Sequence, residues 1–544
     1  MKLNKSIVYD ALVMNQGARV IAMKTLREQG YKFATTAFIE LANEIDVDIW
    51  KHPEEEDAAP IVRGVLEAPD TRRQRATGHT FVFTSAQSNT FLNEPFFNAL
   101  EKYAQARDAE LHISRFTYNK STFDSKSVKP GSGEASDQDD VWFDPRIQPY
   151  ISDEPLEVTD DLIWCGELNI LPTRINPLSS FKGYTRKASG IIPHTKLMME
   201  SVPTMKSDPP KFLYTTGTVT ARNYIQKASG QVAEFHHVFG ALVVEVDDRG
   251  VWWARQLNAD KDGGFYDLDT YWTEQGSLEP PFPIEAITHG DIHWDKVDHA
   301  VLETVFAHGT GVVDQLRPRE QFFHDTIDFT ARNHHNIKDP HFLHEMLLTG
   351  KDSVQQEFDG VGDFLCNMAF RHWSKHFIVV SNHDQAIEIW LKNSVAMYDP
   401  VNARFWHEMN VSSYLAREGG RKARPFTTAL RAHLTKEFQE KCVFLQEDDS
   451  YRILDEIEAG LHGHLGPNGS RGSPKNLRTV GKANTAHTHT AGIIEGVYTC
   501  GVYGKLDMGY NKGLSSWSHS MTITYKNAKR AILTIKEGKA WRDQ

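Results

Sequence analysis

No run of eighteen apolar residues occurs among the 544 residues of the chain, so no membrane-spanning helix is expected. The first sixteen residues, MKLNKSIVYDALVMNQ, also lack an apolar core followed by a small-residue cleavage site, which argues against a secretory signal. Cysteine is scarce: Cys165, Cys366, Cys442 and Cys500 lie far apart and form no Cys-x-x-Cys pair. That spacing excludes a zinc ribbon or a disulfide framework and suits reduced thiols in a cytosolic protein. A surplus of positive charge is missing too. The net charge is −12, so any contact with nucleic-acid phosphates must come from local patches of Lys and Arg. No tandem repeat is found. What remains is a globular composition, 40% hydrophobic and 24% charged, in a chain long enough for two or three domains. Histidine is abundant at 25 residues, and its placement matters because imidazole is the commonest transition-metal ligand near neutral pH.

Residues 1–50 read as helical. Phe38, Leu41, Ala42 and Ile45 recur at helical spacing, and Val20, Ile21, Met23 and Leu26 mark a helix before them. Gln29-Gly30-Tyr31 between the two suits a helix-turn-helix, which would favour DNA, although a hairpin used for packing or self-association is the preferred reading because helix pairs with a Gly turn are common. Residues 51–78, charged and Pro-containing, read as a linker. Residues 79–283 read as a smaller α/β domain. Strand 80–84, amphipathic helix 94–107 and strand 110–116 give a β-α-β unit, with further strands at 162–165, 241–246 and 251–257. The Ser, Gly and Asp of 119–140 suggest a mobile insert. Thr215 to Thr220 and the pair His236-His237 read as a structural turn and a strand edge, because no Walker lysine follows in frame.

From residue 284 onward, short apolar runs end in clusters of Asp, Asn and His, and five such clusters follow in order. The first carries Asp291 and His293, which an extended backbone points to one side. The second is His324-Asp325-Thr326-Ile327-Asp328, and the third is Ser381-Asn382-His383-Asp384. His462-Gly463-His464 is the fourth and Ala486-His487-Thr488-His489 the fifth. In open α/β folds the C-terminal strand ends share one edge, so the five clusters can converge there. Carboxylate, amide oxygen and imidazole together suit Mn²⁺, Fe²⁺ or Zn²⁺ better than Ca²⁺, which prefers oxygen throughout.

The order Asp-x-His, Asp-x-x-Asp, Asn-His-Asp, His, His-x-His resembles the calcineurin-like metallophosphoesterase superfamily over about residues 284–520. The resemblance implies an α/β protein in which residues 284–544 form a catalytic β-sandwich flanked by helices, preceded by the smaller α/β domain and the helical region. It implies two divalent cations, Mn²⁺ first, with Mg²⁺, Fe²⁺ or Zn²⁺ as alternatives. One would be held by Asp291, His293 and His489, the other by Asn382, His462 and His487, with Asp325 bridging. His464 competes with His462 for the fourth motif, and His462 is preferred as nearer the strand end. His383 resembles the catalytic imidazole that contacts the scissile phosphate and protonates the leaving oxygen, while Asp328 and Asp384 would orient ligands. Two cations about 3.5 to 4 Å apart activate water and stabilise charge during in-line attack on phosphorus. Glycines usual before the second, third and fifth motifs are here His324, Ser381 and Ala486, changes that touch backbone clearance rather than ligands.

Arg332, His334 and His335 after the second motif, and Arg471 and Lys475 after the fourth, are expected to touch substrate. The basic run 419–425 reads as a solvated face, Ser515-Ser516-Trp517 as lining the site or merely packing, and 521–535 as a hairpin closing the sheet. The whole chain, including Phe83 to Gln87 and His462 to Ser473, is also similar to phage members of this superfamily, of the pre-early kind that degrades host DNA. That similarity implies DNA as substrate, the infected bacterial cytoplasm as setting, a homo-oligomer, no membrane, and other phage early proteins as partners. A phosphomonoesterase or nucleotide phosphodiesterase of the same superfamily is one alternative. A non-enzymatic DNA-binding scaffold with a structural metal is the other.

Overall fold

A computed structural model describes residues 3–14, 19–39, 41–42, 74–118 and 141–544. The chain forms two compact units, Met1–Arg72 and Arg73–Gln544. Ile45, most of the expected linker (51–73) and the expected insert (119–140) lie outside the described residues. In the first unit, helices Lys5–Met14 and Arg19–Glu28 and helical residues 35–39 bury Val8, Leu12, Ala22, Leu26, Phe38 and Ala42 together. The turn falls at Gly30, whose φ of 89° costs a residue without a side chain little. Among the described residues no helix is long and apolar enough to cross a membrane.

The second unit is mixed α/β with several sheets. Thr80–Gln87 and Glu110–Phe116 pair in parallel, joined by helix Glu94–Ala106, which Asn93 caps by accepting from the Phe96 N–H. One face of this helix carries Phe96, Phe97, Leu100 and Tyr103 into the core over Val82 and Ala86. Gly240–Val246 and Trp252–Asn258 complete a four-stranded sheet. Its other face, through Phe81, Phe83 and Leu242, packs on Trp164, Ile191 and Met199 of an eleven-stranded sheet.

That larger sheet runs through the expected boundary at residue 284. Met199–Val202 pairs with Gly492–Ile494, in register Met199 to Ile493. The expected linker also ends early: Gln74–Arg75 already pairs with Pro155–Thr159, in register Gln74 to Leu156. Residues 79–283 and 284–544 therefore share one sheet rather than forming separate layers of structure.

A six-stranded sheet positions the site. Ile284–Thr288, Glu320–His324, Lys375–Val379 and Cys442–Leu445 are parallel neighbours. Ser520–Tyr525 and Arg530–Thr534 close its edge as an antiparallel hairpin. Helices Pro340–Thr349 to Lys436–Glu440 fill the connections around Lys375–Val379. One face of the sheet packs Ala286, Phe322, Phe377 and Val379 against Ile453 and Ile457 of the larger sheet. Phe322 and Phe377 stack with ring centroids 4.6 Å apart, and burying each ring contributes roughly 1.5 to 3 kcal/mol.

Candidate metal centre

Parallel strands put their C-terminal ends on one edge, and each of the first three ends in a buried polar turn. Backbone bonds continue past the strands and lock these turns together: the Ile292 N–H donates to His324 O at 3.1 Å, and the His293 N–H to Asp325 O at 2.8 Å. Asp291 is clamped between Gly501 O, which accepts from its N–H, and the Tyr503 N–H, which donates to its carbonyl at 2.7 Å. From the larger sheet, the turn after Ile457–Glu458 brings His462, and the turn after Lys482–Thr485 brings His487 and His489. The Ala486 N–H donates to His462 O at 3.0 Å, joining these two turns. His293, Asp325, His487 and His489 all have left-handed backbones, with φ of 49°, 44°, 71° and 56°. Such conformations cost non-glycine residues about 1 to 2 kcal/mol each, and they persist where surrounding structure fixes a side chain for use.

Asp291, His293, Asp325 and His489 are buried and offer ligand atoms all within 4.8 Å of one another. His293 Nε2 lies 3.4 Å from Asp325 Oδ2 and 2.9 Å from His489 Nε2, which in turn is 3.3 Å from Asp291 Oδ2. His462 Nε2 approaches Asp325 Oδ2 at 3.4 Å from the other side. Among the described residues, no hydrogen bond of good geometry reaches any of the four carboxylate oxygens of Asp291 and Asp325, nor Asn382 Oδ1 or His462 Nε2. Buried polar atoms are ordinarily paired. Here His293 Nδ1 faces Asp328 Oδ1 at 3.1 Å; if it carries the ring proton, Nε2 presents a lone pair to a carboxylate and a second imidazole. Acceptors facing acceptors in a buried pocket are the donor set a divalent cation satisfies.

Outside this group, Asp328 also takes Lys296, the Thr330 hydroxyl at 2.8 Å and the His383 ring at 3.0 Å. Burial works against a proton on His383, but the charges of Asp325 and Asp328 outweigh it and push the imidazole up to about 9. Burial, reinforced by Asp325, holds the Asp291 carboxyl well above its usual range. Burial acts the same way on Asp325, yet the imidazoles of His462, His383 and His293 pull it well below. Asp384 accepts from the Ser381 N–H at 3.0 Å and the Thr326 hydroxyl at 3.0 Å, tying the third turn to the second. Burial and Asp325 raise its carboxyl to about 6.

Protein A1 of Escherichia phage T5 is 40% identical to this chain over 500 residues, spanning 90% of the chain and 87% of that protein. The chain belongs to the Protein A1 family. No family model matches it, and no solved structure does.

In this member of the Protein A1 family the expected first ligand trio, Asp291, His293 and His489, does come together around Asp325. Of the second trio, His462 meets Asp325, His487 lies beside it with ring centroids 5.1 Å apart, and Asn382 stands in the turn just before His383. His464 sits one step out, its Nε2 3.7 Å from Glu447 and its ring 5.4 Å from that of His462. Sequence reasoning missed Lys296, which carries no motif signal. It also reduced His324 to a question of clearance, whereas its buried Nδ1 stands 3.4 Å from His462 Nδ1. The unusual residue in a glycine's place was the signal. Trp517 packs against His489, ring centroids 4.3 Å apart.

The expected substrate contacts divide. Arg332 is buried and donates to both oxygens of Asp399 at 2.6 and 2.8 Å. Its fork is thus committed within the fold, where it was expected to touch substrate. His334 and His335 are exposed, rings 3.9 Å apart; burial first, then the neighbouring His335, lowers the His334 pKa. Arg471 and Lys475 are exposed on a loop tied to the site by the Gly472 N–H donating to His464 O at 2.8 Å. Arg421, Lys422 and Arg424 of the basic run face solvent.

Proposed function

We propose that the chain is a metal-dependent nuclease of calcineurin-like metallophosphoesterase type that hydrolyses DNA phosphodiester bonds with two divalent cations, Mn²⁺ foremost. In this reading the six-stranded sheet and residues 452–499 of the larger sheet are the two layers of the catalytic β-sandwich. The observation that carries it is the pair of buried carboxylates, Asp291 and Asp325, set among imidazole nitrogens with no hydrogen bond of good geometry to any of their four oxygens. DNA as substrate, the infected bacterial cytoplasm, host-DNA degradation, self-association and other phage early proteins as partners rest on the sequence resemblance to phage members of that superfamily.

Asp291, His293, Asp325 and His489 would hold one ion, and Asp325, Asn382, His462 and His487 the other. The ions, when bound, supply charge stabilisation at phosphorus and an activated water. The chain's own work is proton handling and orientation. Asp328 holds both the His293 and His383 rings. His383, oriented by Asp328 at 3.0 Å, would give a proton to the leaving oxygen. Lys296 and Thr330 anchor Asp328 in turn.

Purified protein with Mn²⁺ is expected to degrade linear duplex DNA, to stop in chelator, and to spare a chromogenic phosphate monoester. Asp325→Asn and His383→Ala should each abolish cleavage while the circular dichroism spectrum stays parental. Parental rates in either variant would refute the assigned roles, and cleavage of the monoester alone would move the substrate to the other branch of the superfamily.

A further inference from the structure

Apart from the metal centre, a groove of about 600 Å³ lies between Phe235 and His236 on one side and the strands around Lys482, Ile493, Tyr498 and Arg530 on the other. On a chain of net charge −12, its lining carries five cations, Lys196, Arg478, Lys482, Lys529 and Arg530, against one carboxylate, Glu495. Glu495 is shared by Lys196 at 2.8 Å and Arg478 at 2.7 Å, so a single negative charge answers two positive ones, while Lys482 is paired with Glu456 beyond the lining. Arg530 is fixed by Ala483 O and Gly496 O, both at 2.8 Å, and lies 4.1 Å above the Tyr498 ring. Burial is the main force lowering the Lys529 ammonium, with Lys482 and Arg530 adding to it and Asp260 and Glu456 opposing it.

At the rim, Phe235 ends helix Ala228–Phe235 and is 83% exposed, with the His236 ring edge-on at 5.0 Å. An aromatic ring standing in water beside a cationic groove is the combination that tracks a phosphate backbone and stacks its bases. A duplex hides its base faces within the stack, so the ring selects unpaired strands. None of the proposed metal ligands lines the groove, and Lys482 opens a strand whose far end, Thr485, lies three steps or about 10 Å away at about 3.3 Å per residue, so the groove is distinct from the metal centre. We infer that this groove binds single-stranded nucleic acid, its cations holding the backbone and Phe235 stacking a base. The inference extends the nuclease reading without depending on it.

The test is fluorescence anisotropy with a labelled thymidine oligonucleotide of about 12 nucleotides, in chelator so that nothing is cleaved. Phe235→Ala should weaken binding about tenfold. Arg478→Gln combined with Lys529→Gln should weaken it further and flatten its salt dependence by about 0.7 log unit per log unit of salt for each phosphate no longer neutralised. Lys529→Arg should bind like the parent. Parental binding by Phe235→Ala and the double variant would overturn the inference. So would heparin, or a duplex of equal length, competing as well as the single strand. Hydrolysis of a small chromogenic phosphodiester with Mn²⁺ reports on the metal centre alone and should be unchanged in all these variants, so either reading can fail without the other.

Discussion

Asp291→Asn should make the metal-free protein more stable and less responsive to Mn²⁺. Asp291 and Asp325 are both buried, and each offers an oxygen to a group whose ligand atoms lie within 4.8 Å of one another. Two unit charges at that limit of 4.8 Å, with an effective dielectric constant near 20, repel by about 3.5 kcal/mol, from 332/(20 × 4.8). Burial and Asp325 raise the Asp291 carboxyl, so proton uptake relieves part of the repulsion in the parent, and the gain in the variant is at most about that figure. Asparagine keeps the shape and deletes the charge. A unit the size of Arg73–Gln544 unfolds with an entropy of about 1 kcal/mol/K, so the gain amounts to roughly 3 °C or less in chelator. Adding Mn²⁺ at a hundredfold excess over its Kd should stabilise the parent by about 2.7 kcal/mol for each ion bound, and the variant, which keeps only the ion of Asp325, Asn382, His462 and His487, by about one ion's share less. Calorimetry with and without metal reads both numbers. If Asp291→Asn melts below the parent in chelator and both respond alike to Mn²⁺, the carboxylates are structural and the reasoning fails.

Arg332→Ala should cost about 2 to 3 kcal/mol in denaturant midpoint, because Asp399 loses two hydrogen bonds in a pair only 10% and 15% exposed, while DNA affinity holds; reduced affinity at parental stability would restore it as a substrate-binding residue. Gly463→Ala should lower cleavage more than stability, since φ is 112° and the new Cβ would sit 2.6 Å from Thr485 Oγ1, the hydroxyl that donates to His462 O at 2.8 Å. Unchanged kcat in that variant would show the turn to be tolerant. Glu357, lifted from its ordinary 4.5 to about 8 by burial and Asp295, contributes stability that is full below pH 4.5 and lost as pH rises through about 8. Glu357→Gln lacks this titration, so its stability relative to the parent should climb with pH across that window by up to about 1.4 kcal/mol per pH unit. A flat difference across pH would mean the carboxyl is ionised throughout.

The strand ends of the site were readable because each is a local statement: an apolar run stops and ligand-type residues begin, as at Phe377-Ile378-Val379 before Asn382. Helix Glu94–Ala106 was equally local, carrying its own cap at Asn93 and its own apolar face. The hairpin at the end of the chain showed its alternation within fifteen residues, 521–535, and forms between Met521 and Leu533. Partnership was another matter. Periodicity says that Met199–Val202 can be a strand, but nothing in those four residues names Gly492–Ile494 as its neighbour, because pairing is decided by long-range burial. Arg332 misled for the same reason: its place beside the second motif is visible, while its partner Asp399 lies 67 residues on. The choice between His462 and His464 turned on which imidazole faces Asp325, a matter of the turn at Gly463 with φ of 112°.

The shared eleven-stranded sheet bears on how such a protein can be inherited. The strand leading to His487 and His489 belongs to a sheet completed by residues 74–215, so a gene fragment encoding only residues 284–544 would leave Gly492–Ile494 as a bare edge and strip Trp164 and Met199 from beneath Ile493. Exposed edges of that kind invite aggregation. Recombining genomes therefore cannot trade this buried Asp and His cluster as a C-terminal cassette: residues 74–544 travel together, or the cluster arrives without the scaffold that aims it.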